Sequence, residues 1–202
     1  SSRVDFEGEI ALVVKHRLRR VTATEALAGI LGVTCANDVS ARDLQKRDGS
    51  FSGAKSFDTF CPLGPAILLD PDFAGLEVRT RVNGVERQHG RVGEMVFGFA
   101  ELLAYASCRM TLEPGDIFLT GTPAGVGPLA DGDRIEIEIP GVGILANPVE
   151  AFNFEEETGG GDHSKYTWAN SAYAMAVNIN RSYKLYGWGT SIRGVEAGGE
   201  SL

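Results

Sequence analysis

The sequence predicts a strand-rich α+β domain, a mixed β-roll or sandwich with peripheral helices, followed by a C-terminal helical appendage. Many short apolar or alternating runs are separated by turn signals that contain glycine, proline, asparagine or aspartate. The 26 glycines are typical of turns and close backbone contacts rather than of a helical bundle. Strands and helices do not alternate regularly, which disfavours a doubly wound parallel sheet.

The first part of the chain contains two predicted strands on either side of a helix. Residues 9–14, EIALVV, form an apolar run that predicts a buried strand. A capping box at Thr22 predicts a helix that continues to about Leu31 and is ended by Gly32. Residues 33–38 predict the second buried strand.

The middle of the chain combines helical and strand signals. An Asn83-Gly84 pair between alternating runs predicts a type I′ hairpin turn, and apolar residues three or four apart predict a helix further on. Asp38 or Ser40 is expected to cap a helical turn. The predicted elements are that helical turn over residues 40–45, a strand over 65–69, the hairpin over 76–87 and the helix over 92–107.

Three more strands complete the predicted body, over residues 117–122, 134–139 and 142–149. The first runs into a glycine-rich loop, GTPAGVGP, at residues 121–128. This loop lacks the GxGxxG spacing of dinucleotide sites, so phosphate binding is disfavoured.

The composition excludes several classes of partner. A net charge of -8 disfavours nucleic acids, although a local cationic pocket for a small anionic substrate remains open. No apolar run approaches the roughly 20 residues that span a membrane. Three cysteines without a CxxC pair indicate a reducing, cytoplasmic location without a disulfide framework or a zinc knuckle.

The composition changes at about residue 150. Residues 1–150 hold the predicted strands and all candidate site residues. Residues 151–163 are acidic and then glycine-rich, which predicts a linker. Residues 164–202 carry aromatic and apolar residues three or four apart, which predict an amphipathic helical tail.

Two glutamates near the N-terminus are candidate metal ligands. Glu7 and Glu9 are two residues apart at the start of a strand, so both carboxylates are expected on one face. Both stay ionised at such close range only if a cation lies between them. Asp38, at the end of a second strand, is a candidate third ligand for Mg²⁺ or Mn²⁺. A solvated strand face explains the Glu-x-Glu spacing equally simply, and the spacing alone favours that alternative.

A second cluster of polar residues follows closely. Residues 36–65 contain Asp38, Arg42, Asp43, Gln45 and Lys55 beside apolar runs. Mixed charges that enter a core are costly to bury unless they meet partners, a metal or a substrate. Polar chemistry against an apolar background is typical of a binding site.

Five motifs, in this order, closely resemble the fumarylacetoacetate hydrolase family: FEGEIALVV, NDVSARDLQ, AKSFDTFCPLGP, LEPGDIFLTGTPAGVGP and GVGILANPV. The resemblance covers about residues 4–149. It implies the mixed β-roll of that family and a homodimer. It also implies a Mg²⁺ or Mn²⁺ site formed by Glu7, Glu9 and Asp38.

The resemblance also implies roles for four further residues. Arg42 and Gln45 match positions that surround the substrate. Lys55 matches the catalytic lysine that contacts the substrate and stabilises its charge. Thr122 matches a position that binds the substrate carboxylate. Asp43 is expected to be a structural partner of nearby cations.

The implied substrate is a small 2-oxo acid. Hydrolysis of a carbon–carbon bond in an acylpyruvate-type 2,4-dioxo acid leaves an enolate of pyruvate, whose charge the metal and Lys55 stabilise. Isomerisation or decarboxylation of 2-hydroxy-dienedioates or oxo acids in aromatic catabolism is the alternative within the family, because these reactions use the same enolate.

One departure from the family pattern concerns the lid. Hydrolytic members carry a His and Glu pair on a lid helix ahead of the Glu-x-Glu strand, and this lid segment is expected to be absent here. His16, His89 and His163 do not match the pair, and each is expected at the surface. A catalytically inert remnant that still binds metal is therefore a further alternative.

The tail has a separate resemblance. Residues 165–199 resemble an internal segment of the large sheath subunit of the type VI secretion apparatus. This resemblance implies a rival of another class, a structural or assembly protein whose tail determines its role. An ordinary amphipathic helix that packs on the body explains the same pattern.

Overall fold

The structure is a computed structural model, and it describes residues 1–151. The predicted linker over residues 151–163 lies almost entirely outside the described residues, and the predicted tail over residues 164–202 lies wholly outside them. The strands are β1 (Val4–Phe6), β2 (Gly8–Val14), β3 (Ile30–Asn37), β4 (Ser40–Ala41), β5 (Leu63–Leu69), β6 (Glu77–Val82), β7 (Val85–Arg91), β8 (Ile117–Leu119), β9 (Gly127–Pro128), β10 (Arg134–Ile139) and β11 (Gly143–Pro148). The helices are α1 (Ala23–Ala28), α2 (Arg42–Asp48), α3 (Phe51–Lys55) and α4 (Phe99–Arg109), with short 3-10 helices at Phe73–Gly75 and Val92–Glu94.

Three antiparallel sheets form the body. Two have four strands, in the orders β5-β3-β2-β8 and β11-β10-β6-β7, and the third has three short strands in the order β4-β1-β9. The main core lies between the two larger sheets, where Leu12 and Val33 meet Ile137 and Ile139. Helix α4 covers this core with Phe99 and Leu103, four residues apart on one face. The predicted strand-rich α+β class is confirmed.

The pairing of β2 with β3 places the candidate ligands. Gly8 lies opposite Asn37 and Glu9 lies opposite Ala36. The N–H of Asp38 donates to the backbone oxygen of Glu7 at 2.8 Å. The start of one strand and the end of the next therefore meet at one edge of the sheet, where Glu7, Glu9 and Asp38 converge.

Several predicted elements are confirmed closely. The hairpin of β6 and β7 turns at Asn83 and Gly84, whose φ angles are 51° and 78°, as a type I′ turn requires. The capping box of α1 is present, because the side chains of Thr22 and Glu25 bond each other's backbone N–H groups. Strand β10 matches the predicted residues 134–139.

The boundaries of the first helix and of the longest helix were predicted wrongly. Helix α1 ends at Ala28 with Gly29 as its C-cap, and β3 begins at Ile30, so Gly32 lies inside a strand. Helix α4 begins only at Phe99, because Val92–Glu94 forms a 3-10 helix and Glu101 accepts the N–H of Gly98 at the true start.

The segment after Asp38 also differs from the prediction. Helix α2 runs from Arg42 to Asp48, and its N-cap Ala41 has no side-chain cap, so neither Asp38 nor Ser40 caps it. Helix α3, a five-residue helix that ends at Lys55, was not predicted from the sequence. Strand β1 was not predicted either. Glu7 lies in the break between β1 and β2, whereas Glu9 lies within β2.

None of the helices described in residues 1–151 is long and apolar enough to cross a bilayer.

Replacement of Leu103 by alanine is expected to destabilise the body by about 3 kcal/mol, because it leaves a cavity in a core position that is 0% exposed. Leu69→Ala is the matched control, since Leu69 is 57% exposed, and it is expected to cost well under about 1 kcal/mol. Denaturant unfolding measures both. Equal losses would contradict the position of α4 on the core.

Candidate active site

Three carboxylates converge where β2 and β3 meet. Oxygen atoms of Glu7, Glu9 and Asp38 all lie within 4.8 Å of one another. Glu7 and Glu9 are buried and Asp38 is partly buried. Within residues 1–151, this is the one group of three or more acidic, histidine or cysteine side chains close enough to hold a metal ion. The predicted convergence of these three residues is therefore present, although Glu7 lies in the break between β1 and β2 rather than within β2.

Neutral groups hold the Glu7 backbone and the Glu9 carboxylate. The backbone N–H of Glu7 donates to Oδ1 of the buried Asn37 at 3.0 Å. Oε2 of Glu9 accepts the N–H of Gly121 at 2.7 Å, which ties β2 to the glycine-rich loop. These two bonds position Glu7 and Glu9 without neutralising their charge.

Two cationic side chains lie directly on this cluster. Lys55, at the end of α3, donates to Oε2 of Glu7 at 2.7 Å and to Oδ2 of Asp38. Arg42, at the start of α2, donates to Glu7 and to Gln45 Oε1, the latter at 3.0 Å. Six of the seven predicted site residues therefore lie together: Glu7, Glu9, Asp38, Arg42, Gln45 and Lys55. The seventh, Thr122, follows Gly121, whose N–H contacts Glu9.

Burial changes the proton affinity of the carboxylates. Desolvation, reinforced by Asp38 and Glu7, raises the pKa of Glu9 to about 7, against the opposing hydrogen bond from Gly121. Burial also raises the pKa of Asp38, and Lys55 offsets only part of that effect. Burial alone would lower the pKa of Lys55, but its bonds to Asp38 and Glu7 outweigh burial and raise it. Lys55 therefore keeps its proton at neutral pH.

Asp5 is a further charged residue of this region, and the sequence analysis missed it. Its carboxylate is 1% exposed and accepts from Arg3 and from Nε of Arg42, the latter at 3.0 Å. Asp5 therefore helps to orient the Arg42 guanidinium that donates to Glu7. A signal was available, because Asp5 continues the period-2 spacing of Glu7 and Glu9.

Thr122 makes two hydrogen bonds of its own. Its hydroxyl donates to the backbone oxygen of Gly8 at 2.9 Å and accepts from Nε2 of Gln88 at 2.7 Å. The single hydroxyl hydrogen is therefore directed at β2. Gln88, also missed by the sequence analysis, is a buried residue of β7 with no motif around it.

One structural expectation was wrong. Asp43 was expected to pair with cations, but its carboxylate accepts from Ser1, Ser2 and the N–H of Leu44. The side-chain bond from Ser1 is the main reason that the pKa of Asp43 is lowered.

The described histidines lie away from the carboxylate cluster. His16 is exposed, and the exposed His89 lies 3.0 Å from Oε2 of Glu77 in the other large sheet. Both agree with the expected surface position, and His163 lies outside the described residues.

The comparison with family models decides the relationship. The model described as fumarylacetoacetate (FAA) hydrolase, C-terminal, matches residues 1–150. The chain belongs to the fumarylacetoacetate hydrolase family. A second model, described as the EvpB/VC_A0108 tail sheath N-terminal domain, matches residues 143–201, most of which lie outside the described residues.

Relatives within the family carry different names. Protein Rv2993c of Mycobacterium tuberculosis is 51% identical over 152 residues, covering 74% of this chain and 57% of the relative. The oxaloacetate tautomerase YisK of Bacillus subtilis is 42% identical over 161 residues, covering 74% of this chain and 53% of the relative. This chain thus spans little more than half the length of these curated relatives.

A solved structure supports the same fold. The crystal structure of 2-hydroxyhepta-2,4-diene-1,7-dioate isomerase from Mycobacterium marinum superposes with a TM-score of 0.72 at 52% identity, covering 74% of this chain and 60% of the other. Residues of the described body therefore share the fold of that structure.

The buried Glu9 makes stability depend on pH in a defined direction. Its folded pKa of about 7 lies above the ordinary glutamate value of 4.5, so its contribution to the free energy of unfolding is favourable below pH 4.5 and is lost as the pH rises through 7. With a chelator present, we expect wild type to lose about 3 kcal/mol relative to Glu9→Gln between pH 4.5 and 8.

Urea unfolding of both proteins across this pH range measures the difference. Titrating groups away from the cluster cancel in the comparison, because both proteins share them, whereas the coupling of Glu9 to Asp38 and Glu7 is part of the measured difference. A constant gap between Glu9→Gln and wild type at all pH values would show that Glu9 is not buried as described.

Proposed function

We propose that the site binds one Mg²⁺ or Mn²⁺ ion together with a small 2-oxo acid, and promotes removal of a proton from the carbon next to the 2-oxo group. The reaction is a tautomerisation or isomerisation of a 2-oxo or 2-hydroxy-dienoic acid. The observation that carries the proposal is the convergence of three carboxylate oxygens within 4.8 Å, with a lysine lodged against two of the carboxylates.

The donor set suits a hard divalent cation. Glu7, Glu9 and Asp38 would supply oxygen ligands, which Mg²⁺ and Mn²⁺ prefer. Three carboxylates at this distance repel one another unless a cation compensates them, and the ammonium of Lys55 already compensates two of them. When bound, the divalent ion supplies a Lewis acid that polarises the 2-oxo group and makes the neighbouring carbon more acidic.

Lys55 has a role as a charge-stabilising donor rather than as a base. Its raised pKa keeps it protonated at neutral pH, and its ammonium lies at the cluster where negative charge would develop on the substrate oxygen. Such a fixed cation in a partly dry site stabilises the enolate more than the starting ketone. A divalent ion competes with Lys55 for Glu7 and Asp38, so metal binding would release the ammonium towards the substrate.

The substrate carboxylate needs a cationic or N–H-rich surface. Arg42 is held by Asp5 and Glu7 and touches Gln45, so the two side chains form one polar unit. The loop with Gly121 and Thr122 borders the cluster from the other side through Glu9. We assign Arg42, Gln45 and Thr122 to the 2-oxo acid, Thr122 through its backbone N–H because its hydroxyl hydrogen is directed at Gly8. This assignment gives a local anion site to a protein of net charge -8.

The proton balance of the proposed reaction is simple. A solvent water accepts the proton from the carbon, the electron pair of the broken C–H bond moves to the 2-oxo oxygen, and the resulting hydronium returns a proton to that oxygen or to a carbon along the conjugated chain. No atom is gained or lost. The similarity to an oxaloacetate tautomerase and to a 2-hydroxyhepta-2,4-diene-1,7-dioate isomerase, whose names describe reactions of this type, supports the proposal.

Hydrolysis of an acylpyruvate is the second candidate. It requires the same enolate stabilisation and, in addition, a water that attacks the distal carbonyl. The match of the fumarylacetoacetate hydrolase model to residues 1–150 favours it. Decarboxylation of the 2-oxo acid is a third candidate reaction. A protein that binds Mn²⁺ and catalyses none of these reactions would instead support the inert remnant.

Replacement of Glu9 by glutamine tests the metal proposal. We expect Mg²⁺ to stabilise wild type against heat and to support the tautomerisation of oxaloacetate, and we expect Glu9→Gln to lose both, with a fall in kcat of at least about a hundredfold. Glu136→Gln is the control, because Glu136 pairs with Arg134 on the opposite sheet. Unchanged metal stabilisation in Glu9→Gln would refute the ligand role.

Replacement of Lys55 by methionine should leave metal binding intact, in contrast to Glu9→Gln. Without the competing ammonium, Mn²⁺ is expected to bind at least as tightly as in wild type, while kcat falls by about a hundredfold because the enolate loses a cation. Titration calorimetry and the tautomerase assay give the two values.

Lys46→Met, at an exposed position in α2, is the matched control and should change neither value. Weaker Mn²⁺ binding in Lys55→Met would contradict the competition between Lys55 and the metal.

A further inference from the structure

We propose that Gln88 is a positioning residue, which holds the loop of Gly121 and Thr122 on the start of β2 and so keeps the substrate side of the candidate active site assembled. The inference rests on the proposed function for its effect on ligand binding. Its structural part, the attachment of the loop, stands on contacts in the described residues alone.

The Gln88 side chain bonds both partners at once. Its Oε1 accepts the N–H of Gly8 at 3.0 Å. Its Nε2 donates to Oγ1 of Thr122 at 2.7 Å and to the backbone oxygen of Pro123 at 2.8 Å. With only 1% of the residue exposed, water does not replace these bonds. One buried amide therefore connects β7, β2 and the loop.

Close backbone contacts fix the same junction. A Cβ on Gly125 would lie 2.0 Å from the backbone oxygen of Arg87, and a Cβ on Gly90 would lie 2.7 Å from Cβ of Pro123. A Cβ on Gly8 would lie 1.9 Å from Oγ1 of Thr80. The loop and β2 thus approach the β6-β7 hairpin more closely than any side chain would permit, and this proximity brings Gln88 within reach of both.

The position of the loop decides two features of the site. The N–H of Gly121 donates to Glu9 only while the loop lies against β2. Thr122 directs its hydroxyl hydrogen at Gly8 because Gln88 already occupies a lone pair of that oxygen. Gln88 touches neither the carboxylate cluster nor the assigned substrate positions other than Thr122, so it acts through the loop.

The chemistry of this position requires an amide. Leucine has a similar size but offers neither a donor nor an acceptor, so Gly8 and Pro123 would lose buried partners. Glutamate keeps the acceptor for Gly8 but places a carboxylate oxygen against the backbone oxygen of Pro123, where a donor is needed.

The test combines a structural and a binding measurement on the full chain. Hydrogen exchange follows a peptide over residues 119–126, and calorimetry follows oxalate, a small planar dicarboxylate, binding to the Mn²⁺-loaded protein. In Gln88→Leu and Gln88→Glu, we expect the loop peptide to exchange about tenfold faster and oxalate to bind about tenfold more weakly, the size of effect of one lost buried hydrogen bond.

Ser107→Ala is the control for general destabilisation. Ser107 is 0% exposed, accepts the N–H of Val21 at 3.1 Å and donates to Ala104, far from the loop. Its loss should lower the melting temperature while the exchange of residues 119–126 and the affinity for oxalate stay at wild-type values.

The outcomes separate the two proposals. An unchanged hydrogen-exchange rate of the loop peptide in Gln88→Leu would overturn the positioning role, whether or not the affinity for oxalate changes. Faster exchange with unchanged oxalate affinity would overturn the link from the loop to binding. Wild-type protein that binds Mn²⁺ but no oxalate would overturn the proposed function and, with it, the effect of Gln88 on ligand binding.

Discussion

The compensation of buried negative charge is the constraint on which the site depends. Glu7, Glu9 and Asp38 meet within 4.8 Å at the end of a sheet whose strands are otherwise apolar. Like charges at this distance, removed from water, do not persist without cations or protons. Lys55 and Arg42 supply cations to Glu7 and Asp38, whereas burial, reinforced by these neighbouring carboxylates, raises the pKa of Glu9. Helices α2 and α3 carry these two cations, with Arg42 at the start of α2 and Lys55 at the end of α3.

The scaffold explains why the cluster can be held at all. Strands β2 and β3 bury apolar side chains in the core between the two large sheets, and this burial fixes their register. Register in turn fixes which residues reach the sheet edge together. The same strand ends carry the groups that fix the backbone there, such as the buried Asn37, which accepts the N–H of Glu7. The free-energy cost of burying these charges is thus offset by the apolar burial of the strands that carry them.

The sequence predicted the strands well and the helix boundaries poorly, for physical reasons. Period-2 runs such as residues 134–139 specify a strand by themselves, and Asn83-Gly84 specifies a turn. Gly32 carries the same signal as a helix end, but tertiary pairing with β5 places it in a strand. The gathering of Glu7, Glu9 and Asp38 was predictable only through the family resemblance, because spacing alone favoured a solvated face. Gln88 was invisible, since its partners lie 34 to 80 residues away.

Glu9 stands apart from the ion pairs of the described site. Arg3, Asp5, Arg42, Glu7, Lys55 and Asp38 form one alternating chain of ion pairs. Among the described residues, Glu9 is the carboxylate of this group that receives a backbone N–H but no cationic side chain. A proton satisfies it at low pH, whereas a divalent ion would satisfy it at neutral pH while taking over the partners of Lys55. Because that exchange would free a protonated lysine beside an anionic substrate, the charge imbalance of the carboxylate cluster would favour binding of metal and 2-oxo acid together under the proposed function.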